Sequence, residues 1–149
     1  RYSVGRAVCP ADEKGHEKGK ARYQIMSILI DTDVLIEYLR DNEKIVKKFT
    51  EVYKREKKLC FSPITRAEIV AGLRRGEEGI TAKLFGLMEC LKIDDTIGHK
   101  AGEYMKSYRA SHSTEIADAL IAATAHVTDL PLWTLNKKHY PMKDIGFFA

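Results

Sequence analysis

The sequence predicts an α/β protein: a three-layer α/β/α domain around a central, mostly parallel sheet of four to five strands. Three observations carry that expectation. From residue 26 onward, short aliphatic runs of strand length alternate with longer stretches of helical period, the rhythm of βαβ units. The first run, Ile28-Leu29-Ile30, is apolar at consecutive positions, the pattern of a strand covered on both faces. An acid, Asp31, stands directly behind it. A parallel strand would deliver that acid to the sheet's carboxyl edge, where open α/β sheets bind their ligands.

The elements follow in order. Residues 1–25 are rich in charge and show no sustained period. They read as a disordered leader, non-native or translated from upstream, with Met26 at the expected native start and 26–149 as the folded domain. Residues 28–30 are the first strand, and 33–39 begin a helix. A longer, highly charged helix over 43–57 turns Ile45, Val46, Phe49, Val52 and Tyr53 inward. Leu59-Cys60-Phe61 is a second strand, after which Ser62-Pro63 supplies an N-cap and first-turn pair. The helix so opened runs to about residue 75, where Gly76 stops it. Residues 80–90 make a helix with Leu84, Leu87, Met88 and Leu91 on one side, 91–93 a third strand and 96–109 a helix. Residues 115–127 form a helix rich in small residues, suited to close packing. Residues 130–134 are the fourth strand, and 145–148 the candidate fifth.

Composition narrows the function classes. At 149 residues the chain fits one domain with a core of its own. No apolar stretch approaches the roughly 18 residues that span a bilayer, and the N-terminus lacks the apolar segment of a secretory signal. Cys9, Cys60 and Cys90 make an odd count without CxxC spacing, against both a disulfide framework and a zinc site. Cys60 and Cys90 read as core residues, and the expected location is the cytoplasm. The net charge of +4 sits mainly in the leader, where Arg1, Arg6, Lys14, Lys18, Lys20 and Arg22 face Asp12, Glu13 and Glu17. The folded part therefore carries no strong basic footprint. Amides are confined to Gln24, Asn42 and Asn136, a bias of heat-adapted proteins.

Two further acids lie inside apolar helical patterns: Glu68 in Thr65-Arg66-Ala67-Glu68-Ile69-Val70, and Asp118 in Ile116-Ala117-Asp118-Ala119-Leu120-Ile121. Charges in such places are costly unless compensated. A carboxylate cluster without matching basic partners points to a divalent metal. Hard oxygen ligands suit Mg²⁺ or Mn²⁺, and such an ion can activate water and stabilise a leaving oxygen in phosphodiester hydrolysis. Thr134-Leu135-Asn136 follows the last clear strand, and Glu115 lies on the same helical face as Asp118. Plainer readings stand beside these. Glu68 could complete a capping box with Thr65, Asp31 could cap the following helix, and Glu115 could be an acid favoured by the helix dipole. Arg66, Arg74 and Arg75 suit RNA phosphates or solvated helix faces equally well. His112, His139 and Trp133 read as surface, turn and core.

From Met26 onward the chain resembles the PIN-domain ribonucleases, and within them the toxins of VapBC toxin–antitoxin pairs. The matching pieces are Ile30-Asp31-Thr32-Asp33-Val34-Leu35-Ile36, Ile64-Thr65-Arg66-Ala67-Glu68-Ile69 with Ala71-Gly72, the stretch from Ile116 to Ala125, and Leu132-Trp133-Thr134-Leu135-Asn136-Lys137-Lys138-His139-Tyr140. Each alone is a weak motif; all four in this order make a strong one. The resemblance implies a PIN fold and a Mg²⁺- or Mn²⁺-dependent endoribonuclease. Asp31, Glu68 and Asp118 would be its metal ligands, Asn136 the fourth catalytic position, and Glu115 a possible extra ligand. Asn136 adds no charge, which favours one metal over two. Thr134 would orient the groups around the ligands, as would Asp33, which stands where the family frequently has Asn. The implied partners are an RNA substrate, a small antitoxin and a second copy of the chain.

Other readings remain open at this point. A PIN-type RNA-processing nuclease without an antitoxin is the nearest. Asp31-Thr32-Asp33-Val34-Leu35 also looks like the nucleophile motif of haloacid-dehalogenase-type phosphatases, with Asp31 attacking phosphorus, Asp33 as acid/base and Asp94-Asp95 as a distal pair. That scheme leaves Glu68 and Asp118 without a role. A PIN-like module that only binds RNA or protein gives intact acids no purpose.

Overall fold

Four short strands, β1 (Ile28–Ile30), β2 (Leu59–Phe61), β3 (Glu89–Cys90) and β4 (Leu132–Trp133), form one parallel sheet in the order β3-β2-β1-β4. This computed structural model describes residues 26–149, so the expected leader lies outside the described residues. The helices are α1 (Thr32–Leu39), α2 (Glu43–Lys54), α3 (Pro63–Ala71), α4 (Glu78–Gly86), α5 (Asp95–His112) and α6 (Ile116–Thr128). A 3-10 turn, Lys137–His139, follows β4.

Strand alternation builds the three layers, because successive side chains point to opposite faces. Ile28, Ile30, Leu59, Phe61 and Trp133 face one core, which they share with Val34, Leu35, Phe49, Val52, Ile69, Leu84 and Phe85 from α1 to α4. Leu29, Cys60 and Leu132, side by side in the register, face the other. There they meet Ile97, Ala101 and Tyr104 of α5 and Ala119, Ile121, Ala122, Ala123 and Ala125 of α6. The alanines let α6 pack closely in this layer against α5, as the small-residue pattern led one to expect.

The topology locates the functional edge. From β1 the chain steps outward to β2 and β3, then crosses back to place β4 on the other side of β1. The strand order therefore reverses at β1, and the carboxyl ends of β1 and β4 border the resulting crevice.

Several boundaries differ from the sequence reading, each for a local reason. α3 ends at Ala71 rather than near residue 75: Gly72 caps it, with its N–H on the carbonyls of Glu68, Ile69 and Val70. Gly76 belongs instead to the turn before α4, at φ +92°. Glu77 and Glu78 stabilise that turn through the Arg74 and Gly76 N–H groups. α2 stops at Lys54, and Glu56 turns into left-handed backbone two residues on. Its Tyr53 is exposed rather than inward. α4 ends at Gly86, so the third strand is Glu89–Cys90 and Leu91 drops into the core with α5 and α6. Cys90 is consequently exposed on the edge strand, whereas Cys60 is buried as expected. The candidate fifth strand reduces to one parallel bridge between Leu132 and Phe147. Two hydrogen bonds at 2.9 Å flank it, from the Leu132 N–H to Gly146 and from the Phe148 N–H to Leu132.

Candidate active site

Asp31 leaves β1 in extended backbone and caps α1, its Oδ1 accepting the Thr32 N–H at 2.8 Å. The capping role and the functional position thus coincide in one residue. Its Oδ2 accepts two hydroxyls, Thr134 and Tyr140, each at 2.8 Å. Thr134 follows β4, and Tyr140 follows the 3-10 turn. Three segments far apart in sequence therefore converge on one carboxylate at the switch point of the sheet.

Asp33, in the first turn of α1, reaches across to the segment after β4. Its Oδ2 accepts the Leu135 N–H at 3.0 Å and lies 3.3 Å from the Thr134 hydroxyl. Its Oδ1 is buried without a full hydrogen bond. Burial, followed by the neighbouring Asp31 charge, raises the Asp33 carboxyl to about 6. Burial pushes the Tyr140 phenol up as well, with the Asp31 charge adding to it, so the hydroxyl keeps its proton.

Glu68 faces the same crevice from α3. Its Oε1 accepts the Thr32 hydroxyl at 2.9 Å, and that hydroxyl lies 3.3 Å from Thr65 Oγ. The capping-box reading fails, because Ser62 is the N-cap of α3 and Thr65 is fully buried in its first turn. Asp118 enters from the first turn of α6. Burial raises its carboxyl; His139 opposes that, while the charges of Asp31, Glu115 and Glu68 add to it. These four acids thus share one field. Glu115 is the exposed N-cap residue of α6 and makes no capping bond with its side chain.

Asn136 is tied in through its N–H, which donates to Thr134 Oγ at 3.1 Å. Its amide Nδ2 lies 2.9 Å from His139 Nε2, and the other ring nitrogen of His139 lies 3.8 Å from Asp118. A chain of contacts therefore links Asp31, Thr134, Asn136, His139 and Asp118. Sequence reasoning missed His139 and Tyr140, taking the first for a turn residue and giving the second no role. The available signal was position: a single 3-10 turn after a strand returns its last residues to the edge they left.

The donor chemistry fits a hard divalent cation. Asp31, Glu68 and Asp118 offer carboxylate oxygens, and Asn136 adds an amide. Positive charge is turned elsewhere: Arg66 stacks over Phe85 and Phe61, and Lys137 over Phe147. As the side chains lie, however, no three His, Cys, Asp or Glu residues among the described ones stand close enough together to hold an ion. Glu68 is drawn to Thr32 and Asp118 toward His139. The phosphatase scheme gains nothing from its distal acids, since Asp94 caps α5 through the Ile97 N–H.

Comparison with known proteins agrees with this geometry. The PIN domain family matches residues 28–145. Ribonuclease VapC10 of Mycobacterium tuberculosis is 36% identical over 116 residues, covering 77% of this chain and 86% of that protein. Among solved structures, VapBC2 from Rickettsia felis bound to a promoter DNA fragment superposes with a TM-score of 0.69 at 17% identity, over 83% of this chain and 98% of that one. FitAcB from Neisseria gonorrhoeae gives 0.64 at 28% identity, over 82% and 96%. A parallel sheet reversing at an acid-bearing strand, Glu68 and Asp118 delivered to the same crevice, and likeness along nearly the whole described chain lead to one conclusion: this chain is a PIN-domain protein of the VapC ribonuclease family.

Proposed function

We propose that this protein is the ribonuclease toxin of a toxin–antitoxin pair, hydrolysing RNA phosphodiester bonds as a Mg²⁺- or Mn²⁺-dependent endonuclease. The observation that carries the reading is that the charges of Asp31 and Glu68 act on Asp118 across the sheet's switch point, in a chain similar to a VapC ribonuclease. Those three residues would hold the cation, with Glu115 as an additional donor and Asn136 as the uncharged fourth position. The bound ion would supply activation of water and stabilisation of the departing oxygen. Thr134 and Asp33 hold the segment that carries Asn136. The phosphatase reading of Asp31 and Asp33 gives way to PIN-family membership.

The partner is a small antitoxin, a reading supported by the toxin–antitoxin complex from Klebsiella pneumoniae among the structural neighbours. An acidic cleft suits an inhibitory arginine, whose planar fork pairs with carboxylates. A second copy of the chain is the other partner. As surfaces for that copy, the apolar side of α2 spends Phe49 and Val52 in the core, whereas α4 and its C-cap leave Ile80 and Leu87 exposed. No helix among the described residues is long and apolar enough to cross a membrane, and we place the protein in the cytoplasm.

The test is RNA cleavage with Mg²⁺, with Mn²⁺ and with chelator, alongside growth on expression and co-purification with the product of an adjacent short gene. Cleavage should need the metal, expression should arrest growth, and the neighbour should bind and rescue. Chelator-resistant cleavage would refute metal dependence. Metal-dependent cleavage by a protein that is harmless when expressed, with no binding neighbour, would make it an RNA-processing nuclease instead.

A further inference from the structure

The two oxygens of Asp31 are unequally used. A carboxylate oxygen has two acceptor sites. Oδ2 fills both, one with the Thr134 hydroxyl and one with the Tyr140 hydroxyl, each at 2.8 Å. Oδ1 accepts only the Thr32 N–H, at 2.8 Å, and keeps one site open. Tyr140 has a single hydroxyl hydrogen, and it points at Oδ2 from 109 residues away. The ring is fixed: Tyr140 is 3% exposed and packs in the core beneath α5 and α6. Its backbone is held by a bond from its N–H to Lys137 at 3.0 Å. A phenylalanine would fill the same apolar place, so packing alone does not require the hydroxyl.

We propose that Tyr140 is a positioning residue that holds Asp31 in one orientation and leaves it a single free oxygen, Oδ1, for the cation. This rests on the reading of the acidic cluster as a metal site. Clamping Oδ2 with two donors denies a cation the two-oxygen grip that an unrestrained carboxylate offers. It also fixes the direction in which the remaining site of Oδ1 faces. Groups that orient metal ligands in this way commonly matter tenfold or more to activity although they never touch the ion. The site then has a rigid ligand in Asp31 and two ligands, Glu68 and Asp118, whose present partners are a hydroxyl and an exposed histidine.

The test compares Tyr140→Phe with Tyr104→Phe, which removes another buried tyrosine hydroxyl bonded to a carboxylate, Tyr104 to Asp144 at 2.7 Å, away from the acidic cluster. Mn²⁺ binding by the intact protein is followed by titration. Carboxylate stretching bands are recorded by infrared difference spectroscopy at saturating Mg²⁺, with Asp31 identified by Asp31→Asn. In Tyr140→Phe the separation of the Asp31 bands should narrow, the mark of two-oxygen coordination. Turnover should fall roughly tenfold with KM for RNA unchanged. Thr134→Val, which removes the other donor to Oδ2, should narrow the same bands. Tyr104→Phe should lose stability alone. Unchanged bands and turnover within twofold of the parent in Tyr140→Phe would overturn the proposal while leaving the metal site standing, as would equal changes in Tyr104→Phe. If the parent bound no Mn²⁺, or Asp31→Asn bound it equally well, the metal reading itself would fall, and the role of Tyr140 with it.

Discussion

Asp31 shows how much one residue can be asked to do at the end of a strand. It caps α1, ties two distant segments together and presents an open acceptor site. Replacing it with Asn should therefore separate these tasks. The amide oxygen can still accept the Thr32 N–H, so the fold should persist with a loss of about 1–2 kcal/mol, within the range of cap and charged hydrogen-bond losses. Activity should fall by roughly 100-fold or more, because the charge that attracts a cation is gone. Circular dichroism and RNA cleavage on the same preparation check both halves; a folded variant at full activity contradicts the site. Asp118→Asn should behave alike. At this scale the acids were legible in the sequence, since a carboxylate inside an apolar pattern is anomalous. Tyr140 and His139 were not, because a tyrosine or histidine near a turn violates no rule. Only the fold reveals that they face Asp31 and Asp118.

At the scale of elements, the legible features were those written in local chemistry. β1 and β2, the Ser62-Pro63 start of α3 and the alanine face of α6 all lie where sequence placed them. What could not be read was competition between neighbours, such as Gly72 ending α3 before Gly76 could, or Leu91 going into the core instead of a strand. The packing of α6 yields a direct prediction. Ala122 is fully buried in the core shared by the sheet, α5 and α6, so Ala122→Leu should overpack that core and cost about 1–3 kcal/mol. Ala82, exposed on α4, serves as the control, and Ala82→Leu should change stability by no more than about 0.5 kcal/mol. Urea unfolding of the two variants makes the comparison. The C-terminal segment offers a second case. Asp144 accepts the buried Tyr104 hydroxyl at 2.7 Å and pairs with Lys100 at 3.1 Å, stapling that segment to α5. Asp144→Ala strands the hydroxyl and should cost about 1–3 kcal/mol. A loss no larger than that of an ordinary surface substitution would show that the segment is held by its apolar contacts alone.

The whole molecule sets charges of opposite consequence at its two ends, and its stability should record both. At the acidic edge, the Asp33 carboxyl is raised from 3.8 to about 6 by burial and then by Asp31. An unfolded chain ionises this group more readily than the folded one, so stability falls as pH rises from about 4 through 6. Allowing for the solvent that reaches the group, the loss is about 1–2 kcal/mol. Asp118 is raised too, mainly by burial, and acts in the same direction. At the far end, burial would raise Asp144, but the bonds from Tyr104 and Lys100 outweigh it and hold the carboxyl below its ordinary value. That contribution is present above the ordinary carboxylate range and is lost as pH falls below it. Metal-free protein should therefore be most stable between about pH 4 and 5, and weaker at 7. Asp33→Asn should flatten the decline toward neutrality and raise stability at pH 7. Mn²⁺ at about 100 times its dissociation constant should add roughly 2.7 kcal/mol at pH 7 and less at pH 5, where protons compete for the carboxylates. Urea melts across pH, with and without the ion, measure all of this. Stability that climbs from pH 5 to 7 in metal-free protein would mean that the acids at the switch point are already compensated, and the case for a cation there would weaken accordingly.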